Sequence, residues 1–211
     1  MNVEGEVMRR MTRARAVAAL IVGVLLATVV VAPATAYAKR APTTTVYRFY
    51  NQGTGAHFYT ASVAERDIVF ATWPTIYTYE GTAFYLYDWY LEEDVVDTAG
   101  VSPVDPTTPV YRFYNVRNGS HFYTMSSAEA EMVMSAYPTT FTYDGIAFAA
   151  YTGPSDDLPL MPVYRFYHKY NGSHFYTISP EEKALVQLYC ADTYRFEGVA
   201  FYALSAYKSF N

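Results

Sequence analysis

The side chains in this sequence that could do chemistry come in threes. Each copy of a repeated pattern carries an Arg and a Tyr two residues apart, and then a His and a Tyr two residues apart. Aromatic faces beside a few directed donors suit sugar rings, which present C–H patches and hydroxyls together. The candidate ligand-binding residues are Arg48, Tyr50, His57 and Tyr59 in the first copy, Arg112, Tyr114, His121 and Tyr123 in the second, and Arg165, Tyr167, His174 and Tyr176 in the third.

The three histidines permit two other interpretations. A ring nitrogen of each His could bond to a backbone carbonyl or a Tyr hydroxyl in the interior, which would make the His purely structural. Three imidazoles that meet where the copies meet could instead bind Zn²⁺ together with a water. Because the sequence assigns no carboxylate to orient each imidazole, we predict neither a metal site nor a cofactor.

Each copy also carries an acid that could pair with its Arg. These acids are Glu80, Asp144 and Glu197, and each directly precedes a Gly near the end of its copy. One ion pair per copy would orient the structure more reliably than it would stabilise it. The alternative is a polar clamp, in which the planar guanidinium binds a hydroxyl or carboxylate of a ligand.

Catalytic motifs are missing from the sequence. It contains no G-x-S-x-G nucleophile elbow, no H-E-x-x-H helix and no phosphate-binding Gly loop. No spacing singles out one pair of carboxylates for glycoside hydrolysis. Triplication favours several weak binding sites over one active site, because linked sites raise avidity. We therefore predict that the protein is not an enzyme.

A unit of forty-two residues, present three times without a gap, positions these side chains. The copies cover residues 46–87, 110–151 and 163–204, and sixteen of the forty-two offsets carry the same residue in all three. Repetition at a fixed period of this size indicates a repeat architecture. The linkers, 88–109 and 152–162, differ in length, and we predict a single repeat domain over residues 39–211.

Each copy predicts the order strand, strand, helix, strand, strand, or ββαββ. An Asn-Gly turn in the second and third copies indicates a hairpin, and a Ser-x-x-Glu capping box then starts a short helix. Glu80-Gly81 and its equivalents would turn between the last two strands. One unit cannot bury both of its faces alone. We therefore predict a β-rich α+β fold in which three units close into a pseudo-threefold ring, like a squat propeller or a trefoil. The capping boxes also give Glu65, Glu129 and Glu182 a structural role.

Residues 1–38 have the pattern of a secretory signal peptide. Four Arg precede the uncharged apolar run 16–31, and Ala36-Tyr37-Ala38 offers a cleavage site. We expect cleavage after Ala38, secretion, and no membrane contact after cleavage. The alternative is an uncleaved anchor, although the run is shorter than the roughly 20 residues that a spanning helix needs.

The exported product would be acidic and rich in aromatic residues. Removing four Arg and two Glu with residues 1–38 leaves 11 basic and 18 acidic residues, a net charge of −7. A nucleic-acid-binding protein would show a basic patch, so this class is excluded. The exported part also keeps all 13 Phe and 22 of the 23 Tyr.

The motifs YRFYN, HFYT, S-x-x-E and EG-x-AFY resemble a secreted three-fold repeat domain of unknown function found in bacterial and fungal extracellular proteins. The resemblance covers residues 46–204, essentially all of the exported chain. The third copy departs from the pattern with His168 in place of Asn. In that family the domain often accompanies hydrolases of cell walls or other polymers, so the resemblance implies an accessory or binding role.

Two functions from different classes follow. We expect an exported, non-catalytic binding module for a glycan or cell-wall polymer, with up to three equivalent pockets lined by the Tyr, His and Arg named above. The alternative is a structural or protein-interaction scaffold with no small ligand. Burial discriminates between them, because exposed side-chain tips in a cleft favour binding, whereas tips packed against Glu80 and the neighbouring unit favour the scaffold.

Overall fold

The computed structural model describes residues 43–87, 107–156 and 158–205. The predicted signal peptide and most of the first linker lie outside these residues. In chain order the elements are β1 (Thr43–Asn51), β2 (His57–Thr60), α1 (Val63–Thr72), β3 (Tyr77–Tyr87), β4 (Thr107–Asn115), β5 (His121–Thr124), α2 (Ser127–Ala136), β6 (Phe141–Tyr151), β7 (Leu160–His168), β8 (His174–Thr177), α3 (Pro180–Tyr189) and β9 (Tyr194–Leu204). The prediction of a β-rich chain with short helices is confirmed.

All nine strands of the described residues belong to one antiparallel sheet. In each copy the first strand lies between the other two, so that β1, for example, pairs with both β2 and β3. The copies join at the ends of their long last strands, because β9 pairs with β3 through Tyr85 and Leu204 and with β6 through Tyr151 and Tyr202. The sheet is therefore open, and β9 lies between β3 and β6.

The predicted ββαββ unit is wrong in its last two strands. Glu80-Gly81 does not turn the chain back, and β3 runs through it as one strand of 11 residues. Both halves of β3 pair with the same neighbour, β1, and the register shifts on either side of Tyr47 and Arg48. Continuous pairing to one strand keeps the chain extended, and the shifts absorb the extra residues as β-bulges. Gly81 has a φ of 97°, which only Gly adopts readily.

Each helix begins at the predicted Ser cap. The hydroxyl of Ser62 accepts the backbone N–H of Glu65 at 3.1 Å, and Ser126 and Ser179 act in the same way. A capping box also predicts a hydrogen bond from the cap N–H to the Glu carboxylate. This part of the prediction is wrong, because the Ser62 N–H donates to the Thr60 hydroxyl. The Glu side chains are therefore available for other partners. No helix of the described residues is long and apolar enough to span a membrane.

The hairpin loops after the first strands touch one another. Asn118 donates its side-chain N–H to the carbonyl of Asn171 at 2.6 Å, and Asn171 donates to the carbonyl of Thr54 at 2.8 Å. The first copy has Thr54 where the others have Asn, so it contributes an acceptor but no amide donor. The three loops form two of the three hydrogen bonds that a complete cycle would contain.

One hydrophobic cluster draws its side chains from all three copies. Its members include three sets of equivalent residues: Val46, Val110 and Val163; Phe84, Phe148 and Phe201; and Tyr59, Tyr123 and Tyr176. Three smaller clusters lie between each helix and its own strands, such as Phe49, Phe58 and Val69 in the first copy. The shared cluster is the largest, with 13 buried residues against three or four in each helix cluster, so the main core lies where the copies meet.

Candidate functional site

The Tyr of each HFYT motif lies at the centre of the molecule. The Tyr59 hydroxyl donates to the Tyr176 carbonyl, the Tyr176 hydroxyl to the Tyr123 carbonyl, and the Tyr123 hydroxyl to the Tyr59 carbonyl, each at 2.7 Å. Each hydroxyl also accepts the backbone N–H of a neighbouring Tyr at 3.0–3.1 Å. The rings are close to perpendicular, with centroids 5.6–5.7 Å apart. Burial raises the pKa of all three phenols above the ordinary value, so they stay protonated donors.

This geometry removes the three central Tyr from any ligand pocket. Tyr59, Tyr123 and Tyr176 are at most 2 % exposed. Both hydrogen-bonding functions of each hydroxyl are used inside the protein, and an unpaired buried hydroxyl would be costly. A ligand at the surface cannot contact them, so their prediction as ligand-binding residues does not agree with the structure.

Each Arg of the YRFY motif lies between two carboxylates. Arg48 Nε is 2.8 Å from Glu80, on its own copy, and Arg48 Nη1 is 2.9 Å from Glu182, on the third copy. Arg112 contacts Asp144 at 2.6 Å and Glu65 of the first copy at 2.8 Å. Arg165 contacts Glu197 at 3.0 Å and Glu129 of the second copy at 2.9 Å. We call each Arg with its two carboxylates and the adjacent His a joint.

The second carboxylate of each joint does not follow from the sequence. The capping boxes alone explain why Glu65, Glu129 and Glu182 recur. The structure places the backbone N–H of each Glu in the cap and its carboxylate on the neighbouring copy. An identical Glu in all three copies, where a Gln would complete a capping box equally well, was the signal that could have revealed this.

The three His complete the joints. His57 Nε2 is 3.3 Å from Glu80, His174 Nε2 is 3.3 Å from Glu197, and His121 Nε2 is 3.9 Å from the shorter Asp144. Each imidazole also packs on a Phe of a neighbouring copy, with centroids 4.8 Å apart; the partners of His57, His121 and His174 are Phe175, Phe58 and Phe122.

The hydrogen bonding of the His differs from the sequence-based alternatives. The Nδ1 atoms of His57 and His174 are buried with no hydrogen-bond partner among the described residues, so neither bonds to the expected carbonyl or Tyr hydroxyl. The carboxylate beside each imidazole belongs to the acid that precedes the Gly of the long strand, which is Glu80, Asp144 or Glu197. Among the described residues no group of three or more His, Cys, Asp or Glu side chains could hold a metal ion.

The pKa values of four joint carboxylates and of His121 are all lowered, but for different reasons. Burial alone would raise the pKa of Glu197, but hydrogen bonds from His174 and Arg195 lower it to about 2. The pKa values of Glu65, Glu80 and Glu129 are also lowered, because hydrogen bonds and cationic neighbours outweigh burial. Burial and the Arg112 charge lower the pKa of His121 to about 4. At neutral pH these carboxylates are therefore ionised and His121 is neutral.

The outer Tyr of each predicted pocket is the part that solvent reaches. Tyr50, Tyr114 and Tyr167 lie beside the His of their own copy, with centroids 5.2–5.4 Å apart. Tyr114 is exposed and the other two are half-buried. The Arg side chains behind them are at most 19 % exposed. The structure thus brings Arg, His and Tyr together in every copy, but most of each group faces a neighbouring copy.

A small cleft opens at the joint between the second and third copies. Its volume is about 170 Å³, and its lining is Thr124, Met125, Ser126, Glu129, Arg165, Glu197, Val199 and Ala200. The charged groups in the lining are already paired with one another. The cleft is smaller than the roughly 300–1,000 Å³ of ordinary ligand pockets.

Comparison with known proteins identifies a family. Residues 31–98 and, in a second overlapping match, residues 87–204 fit the sequence model of DUF5648, described as a domain of unknown function. Searches of curated proteins and of solved structures gave no match.

Proposed function

The chain belongs to the DUF5648 family, and we propose that it acts as a non-catalytic scaffold in which three equivalent units close into a pseudo-threefold ring. One observation carries this proposal. The same joint links the first copy to the third, the second to the first, and the third to the second. A row of units would have two such contacts, whereas a cycle of three is what a closed ring requires. In this proposal the chain is exported and the ring offers its outer surface to an extracellular partner.

The composition of the joints supports a holding role for the repeated residues. Each guanidinium satisfies one acid on its own copy and one on its neighbour, so it acts only when the two copies are in place. Breaking such a partly buried pair is costly because the remaining charge is left uncompensated. The three Tyr at the centre add a second cycle of contacts, in which every hydrogen bond joins two different copies.

The protonation states support the proposal that the chain is not an enzyme. A general acid at neutral pH needs a carboxyl group whose pKa is raised. Burial acts in that direction here, yet the pKa values of Glu65, Glu80, Glu129 and Glu197 are lowered by their cationic partners. These carboxylates are therefore suited to hold an Arg and poorly suited to donate a proton.

A glycan bound in the joints is the second candidate. The cleft at Arg165 favours it, because part of a guanidinium, two carboxylates and the exposed Ser126 line it. In this proposal the partner is an extracellular or cell-wall glycan, and each joint is one weak site.

Simultaneous replacement of His57, His121 and His174 by Ala separates the two candidates. The scaffold proposal predicts a lower melting temperature for this triple variant, because each imidazole contacts the acid of its own copy and a Phe of a neighbouring copy. Retention on an insoluble polysaccharide, measured below the melting transition, should then equal that of the parent chain. Lost retention in a variant that melts like the parent would contradict the scaffold and support the glycan in the joints.

A further inference from the structure

We propose that each copy carries a second site on its outer face, where a pair of aromatic rings stacks on a neutral polysaccharide. The pairs are Tyr47 with Tyr79, Tyr111 with Tyr143, and Tyr164 with Phe196, and we call each pair an aromatic platform. This inference rests on the proposal of a non-catalytic module, and it assigns a partner to the outer surface of that module.

The platforms have the same geometry in every copy. Their ring centroids are 6.4, 6.4 and 6.2 Å apart, with interplanar angles of 48°, 49° and 54°. Tyr79, Tyr143 and Phe196 are 37–45 % exposed. Each of these rings rests on a core Phe, at 5.1 Å from Phe49, 5.3 Å from Phe113 and 5.1 Å from Phe166. The platforms are therefore held by the core on one side and partly exposed on the other, where Arg66 lies over Tyr47 in the first copy and Lys183 lies over both rings in the third.

The platforms are not used in the joints. The ring contacts of Tyr47 and Tyr79 lie within the first copy, on the face of the sheet that α1 partly covers. The exposed Phe70 of α1 extends this surface, with its ring 6.2 Å from that of Tyr79. Met134 is also exposed at the same offset of the second copy. Ring closure thus accounts for the buried repeated residues but not for an exposed aromatic pair in all three copies.

The charge beside the platforms indicates an uncharged partner. The helix position next to each pair is Arg66 in the first copy, Ala130 in the second and Lys183 in the third. Arg66 lies 4.6 Å from the Tyr47 ring and pairs with Asp67 at 2.7 Å, and Lys183 lies 4.3 Å from the Tyr164 ring. The aromatic pair is present in every copy. The charge at this helix position is paired with Asp67 in the first copy, absent in the second and a lysine in the third. A charged partner would require a repeated charge.

The size of the platforms favours a polysaccharide over a protein. A stable protein interface uses about 20–30 residues on each side. Each platform offers two rings and one flanking side chain, which matches the C–H face of a sugar ring. A polymer of identical sugars can occupy more than one platform at once, and linked weak sites raise the overall affinity without new contacts.

The test is retention of the full chain on three insoluble neutral polysaccharides: cellulose, chitin and β-1,3-glucan. We expect retention on at least one of them, unchanged in 0.5 M NaCl because these polymers carry no charge. The triple variant Tyr79→Ala, Tyr143→Ala and Phe196→Ala should lower retention by about 100-fold or more through loss of avidity. Tyr170→Ala is the matched control, because this loop ring is 75 % exposed and lies outside the platforms.

Three outcomes would overturn the inference: no retention on any of the three polymers, retention that salt abolishes, or a triple variant retained as strongly as Tyr170→Ala. If near-ultraviolet circular dichroism shows that the triple variant is unfolded, Phe70→Ala combined with Met134→Ala replaces it. These two side chains are exposed, and their loss should still lower retention; unchanged retention would contradict the platforms. The scaffold proposal fails separately, through an unchanged melting temperature of the triple His variant.

Discussion

At the scale of single residues, the joints show how one guanidinium holds two copies together. Arg48 contacts an acid on the neighbouring strand of its own copy and another at the start of a helix from the third copy. The Arg and its own acid could be paired from the sequence, because both recur at fixed offsets. The neighbouring copy's acid could not be assigned, because only the folded arrangement decides which helix reaches which Arg.

The joints predict that the unfolding free energy decreases in two stages as the pH is lowered. The pKa of His121 is lowered to about 4 from an ordinary value of 6.5, so the unfolded chain binds this proton first and stability is lost as pH falls from 6.5 towards 4. This loss is about 2 kcal/mol between pH 7 and pH 5. The lowered carboxyl pKa values keep their contribution above pH 4.5 and lose it as pH falls towards 2, the folded pKa of Glu197.

Urea unfolding at pH 7, 5 and 3 measures both stages. His121→Gln is the control, because it removes the imidazole and should flatten the curve between pH 7 and pH 5 while leaving the decline below pH 4.5. An unfolding free energy that rises between pH 7 and pH 5 in the parent chain would contradict the account of His121.

At the scale of elements, local signals predicted turns and caps better than strand continuity. Asn-Gly predicted the hairpin loops, and Ser predicted each helix start, because both effects depend on neighbouring residues alone. A hairpin was predicted in place of the long strand because Glu-Gly fits a turn as well as a bulge. The difference depends on β1, which pairs along the whole of β3 and is distant in sequence.

The bulge predicts that Gly81→Ala is destabilising although there is room for a methyl group. A Cβ on Gly81 would meet no atom within 4 Å, but φ is 97°. We expect a loss of about 1–2 kcal/mol in unfolding free energy from backbone strain alone. Gly153 is the matched control, since it has equal space and no positive φ. Equal stability of the two Ala variants in thermal melts would show that the strain argument is wrong.

The hairpin loops predict a stabilising double substitution. Thr54→Asn with Ala56→Ser gives the first copy the Asn-Gly-Ser loop of the other two, whose Ser hydroxyls orient the Asn side chains at 2.7 Å. The new amide should donate to the Asn118 carbonyl and complete the cycle, which adds about 1 kcal/mol to the unfolding free energy. Ala56→Ser alone should add little. A double variant that melts no higher than the parent would mean that the first and second loops do not meet.

At the scale of the whole molecule, the repeat is enough to predict a shared core. Three copies with the same aromatic residues, each too small to bury both faces, have to pack on one another. The sequence could not assign the buried Tyr, His and Arg to the interior or to a pocket, because their types suit both. Burial at the centre of the molecule decides this for Tyr59, Tyr123 and Tyr176, and it arises only through contacts between copies.

Closure of the ring is tested most directly by a double-mutant cycle on Arg48 and Glu182, the pair that links the first copy to the last. Arg48→Gln, Glu182→Gln and the double variant are compared by urea unfolding, with Arg112 and Glu65 as the matched pair between adjacent copies. A closed ring predicts a coupling energy of about 1–3 kcal/mol for Arg48 and Glu182, at least as large as that of the matched pair. Coupling that is absent for Arg48 and Glu182 but present for Arg112 and Glu65 would mean that the copies form an open row.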